Sequence, residues 1–564
     1  MVNDLLERYS TDWSLFTIHP SDVIAPKNSQ EIGEIVKHIS AEKKKKNSDE
    51  TISITARAAG TDMTGGPLNH GTILDMTQYM RGVIDIKEGD FGAQTSYSNF
   101  KYVISGHITA LPGTYYRDLE KLTLAKGLLM PCYPASKNLC AIGGMVANNG
   151  AGERSIKYGQ NKDFVSEIKA VLYDGNEYII RQLTKEELDA KIMQDDFEGK
   201  LYKEAWELVR DNDRLINTHR PMTTKNSAGY LLWDVIKAPS VDAFINGEGV
   251  FDMTKFFVGA QGTTGIITEI TYKLVKYEKF SDLLLIYVQD IEKLPILVKQ
   301  LMKSDLEMLE MYDDHTLRVG IRFFADFIKD RGVLSFIKYI IRFIPEFWMA
   351  LIGGIPKFVV MAEFVSDNEN ELRHEVRDAK ERIADLNLKT KIITKSKDEE
   401  KFWDFRHDSF KILTEHTLAS RGAGTGTRTA PFIDDIAVNP EYLPDYIPRL
   451  VKILNEYDIL YTIAGHLGNG NFHIIPLIDM SLEENRKKIL EITDKVYTLA
   501  LEYHGTITAE HNDGIIRTPY LEQMFGPSMV ALFSKVKRIF DPLNIFNPGK
   551  KVGMTKEDIM RYME

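Results

Sequence analysis

The apolar positions of the first 275 residues fall in short β-branched runs separated by amphipathic stretches. TISITAR and GTILDM carry a strand pattern, and IGEIVKHISAEKK repeats its apolar residues at helical spacing. The lysine run Lys43–Lys46 closes that helix as a solvated end and loop. From about Tyr277 the texture changes. DLLLIYVQD and KFVVMAEFVSD read as strands, while ENELRHEVRDAKERIADLN and NRKKILEITDKVYTLALEYH read as long helices. That second pattern predicts an α+β domain built on an antiparallel sheet. The last 60 or so residues return to glycine and proline and close on IFDPLNIFNPGK.

Length and charge narrow the class. A chain of 564 residues exceeds one compact core, so two or three domains are expected. A net charge of -11 argues against nucleic acid as the partner, since phosphate backbones need basic surface. Two cysteines, Cys132 and Cys140, rule out a disulfide scaffold and a self-contained four-cysteine iron–sulfur or zinc site. MVNDLLERYS shows no basic region followed by an apolar one, which sets a cytoplasmic location as the expectation. The apolar stretch 332–364 tests it. Lys338, Arg342, Glu346 and Lys357 interrupt it, so it reads either as buried helices or as a patch resting on the inner face of a membrane.

Three stretches rich in small residues raise the question of a ligand. ARAAGTDMTGG lies between two strand-like runs, where successive small residues let backbone N–H groups turn inward around an anion such as a pyrophosphate. YPASKNLCAIGGMVANNGAGERSIKYG and VGAQGTTGIITEI follow. Loops this poor in large side chains build little core and suit a flat ligand lying on backbone. No GxxxxGK[ST] loop occurs, and no GxGxxG opens a helix after a strand, so a nucleotide triphosphate and a Rossmann-bound NAD are both disfavoured.

AGHLGNGNFH, residues 464–473, has strand-like flanks and the hairpin dipeptide Asn469-Gly470. A turn centred there pairs His466 with His473 on one face, with Cβ atoms about 4.5–5.5 Å apart. Two imidazoles so placed can share a divalent metal, or can simply be exposed on a hairpin. Further on, ITAEHNDGIIR sets Glu510 beside His511 in a strand that breaks at Asn512-Asp513-Gly514. The break would let Glu510 reach the same metal while His511 turns to a substrate. Two histidines and one carboxylate leave coordination positions open.

RAAGTDMTGG, PASKNLCAIGGMVANNGAGERSIKYG, VGAQGTTGIITE and FDPLNIFNPGK, in that order, resemble the FAD-binding segments of vanillyl-alcohol-oxidase-type flavoproteins. GHLGNGNFH and AEH resemble the paired motifs of the FAD-dependent D-2-hydroxy-acid dehydrogenases, the D-lactate, glycolate and D-2-hydroxyglutarate group. The resemblance implies a two-lobed FAD-binding domain over 1–275, an α+β substrate or cap domain over 276–505, and a segment 506–564 that completes the active site and the FAD domain. It implies FAD contacts at Arg57, Ala58, Ala59, Gly60, Thr61, Asp62, Pro134, Ser136, Gly143, Gly144, Asn148, Gly150 and Ile267, with Asn547 near the flavin ring. Ala58 and Ala59 stand where glycines are usual, and His70 does not match the usual covalent linkage site, so the FAD is expected to be non-covalent. The divalent metal, zinc or manganese, falls to His466, His473 and Glu510, with His511 as the base. Asn469 and Ala509 replace a common Asp and Gly, neither of them a ligand.

KFWDFRHDSF matches the segment that supplies a substrate-binding arginine in this group, which implies that Arg406 grips the substrate carboxylate. APFIDDIAVNP lacks a lysine that some relatives carry before the matching aspartate, and Lys225 is a further candidate near the flavin. The expected chemistry is oxidation of a 2-hydroxy acid to the 2-keto acid by hydride transfer to FAD. A quinone, an electron-transfer flavoprotein or a separate iron–sulfur protein would then take the electrons. Two other readings share the architecture: an alkylglycerone-phosphate-synthase-like flavoenzyme, and a non-catalytic flavin-binding subunit of an electron-transfer complex.

Overall fold

Alternation along the strand Ile266–Lys276 sets the first sheet: every second side chain is buried until the final turn outward. The computed structural model describes residues 2–46, 51–96, 98–316, 356–394, 403, 427–457 and 459–563. Arg406 and the bulk of the apolar stretch (332–355) lie outside the described residues.

Ile266–Lys276 pairs antiparallel with Lys101–Ala110 on one side and Val165–Val171 on the other. The sheet continues from Val165–Val171 through Glu177–Leu183, and from Lys101–Ala110 to Val83–Glu88. A small parallel sheet sits apart, with Thr72–Asp75 between Asp22–Ile24 and Ile54–Arg57. The helix Ser29–Lys45 turns Ile32 and Val36 toward that sheet's core and starts where the Asn28 side chain accepts from Glu31 N–H. Contrary to a fully solvated lysine run, Lys43 is buried on its inner face; Lys44, Lys45 and Lys46 are exposed.

A second antiparallel sheet begins at Phe280–Val288 and runs through Phe358–Ser366 and Met308–Asp313 to the hairpin Leu460–His466 and Asn471–Asp479. Both faces of its central strands are covered. Leu284, Ile286, Met311 and Val360 pack under the helices Glu369–Arg382 and Leu443–Asn455, whereas Leu283, Leu285, Tyr312 and Ala464 face the other way. The described end of the apolar stretch, Phe358–Phe364, is thus buried in the middle of this sheet. No helix of the described residues is long and apolar enough to cross a membrane.

The C-terminal helix Leu521–Phe540 returns to the first lobe, where Phe525, Phe533 and Phe540 join its core. Beyond it, Phe546 forms a parallel bridge to Ile54, and Lys550 donates to the Leu68 carbonyl.

Candidate active site

A single cavity of about 570 Å³ runs from the glycine-rich segments to the histidine cluster. That volume lies within the usual range for a small-molecule or cofactor site. Ala58, Ala59, Gly60, Thr61 and Asp62 line one wall, and Pro134, Ser136, Gly143, Gly144, Asn148 and Gly150 line another. Ile267 lies on it with Gln261 and Gly262, while His466, His473, Glu510 and His511 close one end.

Asp62 organises the first wall. Its Oδ2 accepts from Thr64 N–H, Gly66 N–H and the Thr64 hydroxyl, and its Oδ1 accepts from Asn148 at 2.6 Å. This carboxylate fastens the first loop to the second segment. The second segment is more than a loop: Ile142–Asn148 is helical, and Ile142, Met145 and Val146 are buried core. Its glycines explain the close approach, because a Cβ on Gly144 would stand 3.3 Å from Ala58 Cβ, leaving little room between the two walls. A cradle of glycine and alanine with mainly apolar walls fits a dinucleotide such as FAD.

Two expected contacts fall elsewhere. Arg57 points behind the loop, donating to the carbonyls of Tyr9 and Thr11, so its charge anchors the N-terminal segment and does not face the cavity. Asn547 does not line the cavity but is buried directly behind it, donating to the carbonyls of the lining residues Gly66 and Gln261 and accepting from Thr55 and Asn69. It ties the C-terminal segment to the loops. Trp13, which the sequence did not single out, lines the cavity and donates its backbone N–H to the Asp62 carbonyl.

At the other end the hairpin register differs from the one expected. Ala464 faces His473, and His466 faces Asn471; a 3-10 turn at Leu467–Asn469 followed by left-handed Gly470 replaces the two-residue turn. The pairing is shifted by an even number of positions, so His466 and His473 still share a face as diagonal neighbours. The segment carrying Glu510 is also not a strand: it bends past a single bridge between Thr506 and Ala437, with Asn512 at φ 73°.

His466 Nε2, His473 Nε2 and Glu510 Oε1 form a nearly equilateral triangle with edges of 3.1, 3.3 and 3.4 Å. Donors about 2.0–2.1 Å from a tetrahedral ion stand about 3.3 Å apart, so this donor set fits a divalent metal. His511 stands farther off, its Nε2 4.0 Å from the same carboxylate oxygen. Asp435, His473, Glu510 and His511 also bring one ligand atom each within 4.8 Å of one another. The Asp435 carboxylate, however, is occupied by the N–H groups of Glu510 and His511, the Thr508 hydroxyl and the Asn471 amide.

Each histidine of the triangle has a carboxylate behind it. Glu310 Oε1 lies 2.5 Å from His466 Nδ1, and Asp434 Oδ1 lies 3.1 Å from His473 Nδ1. The adjacent strand register, Met311 with Gly465 and Tyr312 with Ala464, sets Glu310 opposite His466 when extended by one pair. Asp434 Oδ2 lies 2.7 Å from His511 Nδ1. Lys225, expected near the flavin, is fully buried against Glu510, with Nζ 2.5 Å from Oε2 and 2.9 Å from Asn471 Oδ1.

Burial alone would lower the affinity of these imidazoles for a proton, but the carboxylates outweigh it. His466 is raised above its ordinary value by Glu310 and Glu510, His473 by Asp434 and Glu510, and His511 by Asp434 and Asp435. Burial would raise Asp434 and Glu510; the imidazoles hold Asp434 well below the carboxylate range, and Lys225 with His466 does the same for Glu510. The field at the centre of the triangle therefore favours a cation.

Residues 20–180 match the FAD binding domain family, and residues 278–551 match the C-terminal domain of FAD linked oxidases. The D-2-hydroxyglutarate dehydrogenase of Escherichia coli (strain K12) is 23% identical over 96% of this chain and 49% of its own length. The chain thus spans about half the length of that relative. The glycolate oxidase subunit GlcD of Bacillus subtilis (strain 168) is 25% identical over 94% of this chain and 88% of its own. The D-lactate dehydrogenase of Archaeoglobus fulgidus is 23% identical over 94% and 91%. Among solved structures, p-cresol methylhydroxylase superposes with a TM-score of 0.62 at 13% identity, covering 98% of this chain and 93% of that one. An alkyldihydroxyacetonephosphate synthase gives 0.58 at 12%, covering 94% and 77%. The fold is that of vanillyl-alcohol-oxidase-type flavoproteins.

Proposed function

The chain pairs an FAD binding domain with the C-terminal domain of FAD linked oxidases, and from that pairing we propose a flavoprotein dehydrogenase acting on a D-2-hydroxy acid. The supporting observation is the single cavity that joins the glycine and alanine cradle to the triangle of His466, His473 and Glu510. A substrate seated there would lie between a flavin and a cation site.

In this reading Ala58–Asp62, the second glycine segment and Ile267 hold FAD, and His466, His473 and Glu510 hold the metal. When bound, FAD supplies a hydride acceptor and the divalent ion supplies Lewis-acid polarisation of the 2-hydroxyl. His511 Nε2 takes the hydroxyl proton, and Asp434, with Oδ2 2.7 Å from Nδ1, offsets the charge that the ring gains. Lys225 neutralises the outer oxygen of Glu510, leaving the inner one for the ion. Arg406 is assigned the substrate carboxylate on sequence grounds. Electrons then leave to a quinone, an electron-transfer flavoprotein or an iron–sulfur protein. The names of the relatives support D-lactate, glycolate and D-2-hydroxyglutarate as the substrates to try.

Anaerobic bleaching of the visible flavin band tests this. A D-hydroxy acid should bleach it, its L form should not, chelator should block the reaction, and zinc or manganese should restore it. A yellow protein that none of these acids bleaches would refute the chemistry.

A further inference from the structure

Residues 10–18 form a compact loop between the helix Val2–Tyr9 and the strand Asp22–Ile24. The loop closes on itself: Ile18 N–H donates to the Ser10 carbonyl at 2.8 Å, and Thr11 bridges Thr17 antiparallel. Inside it the Asp12 carboxylate accepts from the N–H and the hydroxyl of Ser14, which turns the chain at its tip. The tip therefore has a shape of its own, and the rest of the fold has only to place it.

Both lobes take part in placing it. On the first, Arg57 donates to the Thr11 carbonyl at 2.8 Å, and the Asp62 carbonyl accepts from Trp13 N–H at 2.9 Å. On the second, Arg428 donates to the Leu15 carbonyl at 3.0 Å, and Leu15, Phe16 and Ile18 are buried in the same core as Phe432 and Ile478. Phe16 also lies against the first glycine loop, where a Cβ on Gly65 would stand 2.8 Å from its Cδ2. At the base, Thr17 N–H donates to the Tyr562 carbonyl. One arginine from each lobe thus grips the loop by its backbone.

At the tip, Leu15 and Phe16 turn into the second core, while Trp13, 41% exposed, lines the cavity. Its bond to Asp62 sets it on the cradle side, because Asp62 is the residue that fastens the first loop to Asn148. An indole is a rigid, largely apolar plate, suited to packing on a flat conjugated ring. We infer that Trp13 is a cofactor-binding residue, a third wall that contacts FAD in the cradle, and that loop 10–18 is the strap by which both lobes hold it there. The inference rests on the proposed function for the identity of the cofactor. The strap also gives Arg57 a task toward the cofactor: it acts through the loop it anchors.

The test strips flavin from the full-length protein and titrates FAD back, followed by its visible band. Trp13→Ala should bind FAD about 10–100-fold more weakly than wild type, and Trp13→Phe, which keeps an aromatic plate, within about 5-fold. Without flavin, wild type and Trp13→Ala should melt within about 3 °C of each other. A flavin-free Trp13→Ala that melts far lower would make Trp13 a structural residue and overturn the inference. Unchanged FAD affinity in Trp13→Ala would also overturn it, and a raised KM for the hydroxy acid alone would assign the indole to the substrate.

Arg428→Met separates the strap from the wall. Arg428 is not among the residues that line the cavity, yet its loss should weaken FAD binding about 3–10-fold by releasing the Leu15 carbonyl. In the Trp13→Ala background the same substitution should add less than about 2-fold, because the wall it positions is gone. Losses that multiply would show that Arg428 acts by another route, and would overturn the strap. A wild type that takes up no FAD would refute the proposed function together with the inference. A wild type that binds FAD no more tightly than Trp13→Ala would refute the inference alone.

Discussion

Lys225 and Glu510, 285 positions apart in the chain, close an ion pair of 2.5 Å with both side chains buried. The pair spends one carboxylate oxygen and leaves the other to His466 and His473. Lys225→Met removes the cation and leaves a buried carboxylate half-compensated, which should cost about 3–5 kcal/mol. Thermal denaturation would record the loss, and added zinc should recover more of it in the variant than in wild type. A variant within about 1 kcal/mol of wild type would mean that Glu510 does not depend on this partner.

Metal removal should separate the two halves of the cavity. Among the described residues, the metal triangle uses none of the side chains that line the cradle, so prolonged dialysis against chelator should leave the protein yellow. His466→Gln and His473→Gln should behave alike, retaining flavin while losing zinc by at least about 10-fold in affinity. Metal analysis beside the flavin spectrum checks this, and loss of flavin together with zinc would contradict it.

Gly144→Val should do the reverse. A Cβ there already stands 3.3 Å from Ala58, and the branched atoms beyond it enter the space assigned to the cofactor. The variant should fold with a native circular dichroism spectrum and purify colourless. A yellow Gly144→Val protein would place the cofactor elsewhere.

Asp313 gives a pH dependence of its own. Burial pushes its carboxyl up to about 6, and Asp314 adds to this against the hydrogen bonds from Thr316 and the charge of His315. Above about pH 4 the unfolded chain has lost this proton while the folded protein keeps it, so stability falls as pH rises from about 4 to about 6 and the deficit persists above. Asp313→Asn keeps an acceptor and removes the deficit. Its melting temperature relative to wild type should therefore rise across that window, and an unchanged difference would show that Asp313 does not carry the dependence.

Elements with a clean period were legible in the sequence. Phe280–Val288 carries the apolar run Leu283–Val288 and Phe358–Ser366 the run Phe358–Ala362, both of strand length, and Glu369–Arg382 buries Leu372, Val376 and Ala379 along one helical face. The hairpin misled because Asn-Gly favours a two-residue turn, whereas here Leu467 is buried and draws the turn into a 3-10 coil. The histidines survive that error because only the parity of the register decides the face. Arg57 was drawn toward an anion by its charge, but the carbonyls of Tyr9 and Thr11 claim it. Glu310 went unnoticed for want of a motif, and the aspartates of APFIDDIAVNP were read for a missing lysine and not for the histidines they face. A signal existed for the first, since MLEMYD sets an acid inside a strand buried at every position. Such an acid needs a partner, and the partner is a histidine.

The parallel bridge from Ile54 to Phe546, with Thr55 bonded to Asn547, spans 492 positions for the latter pair. Its meaning is temporal. On the ribosome the loop after Ile54 is made early, yet the bridge residue beside it and the asparagine that braces Gly66 and Gln261 emerge hundreds of residues later. Bracing of the cradle is therefore a late event in biosynthesis. Until then the first loop lacks its brace, and a truncation that removes Phe546 and Asn547 would leave it unbraced.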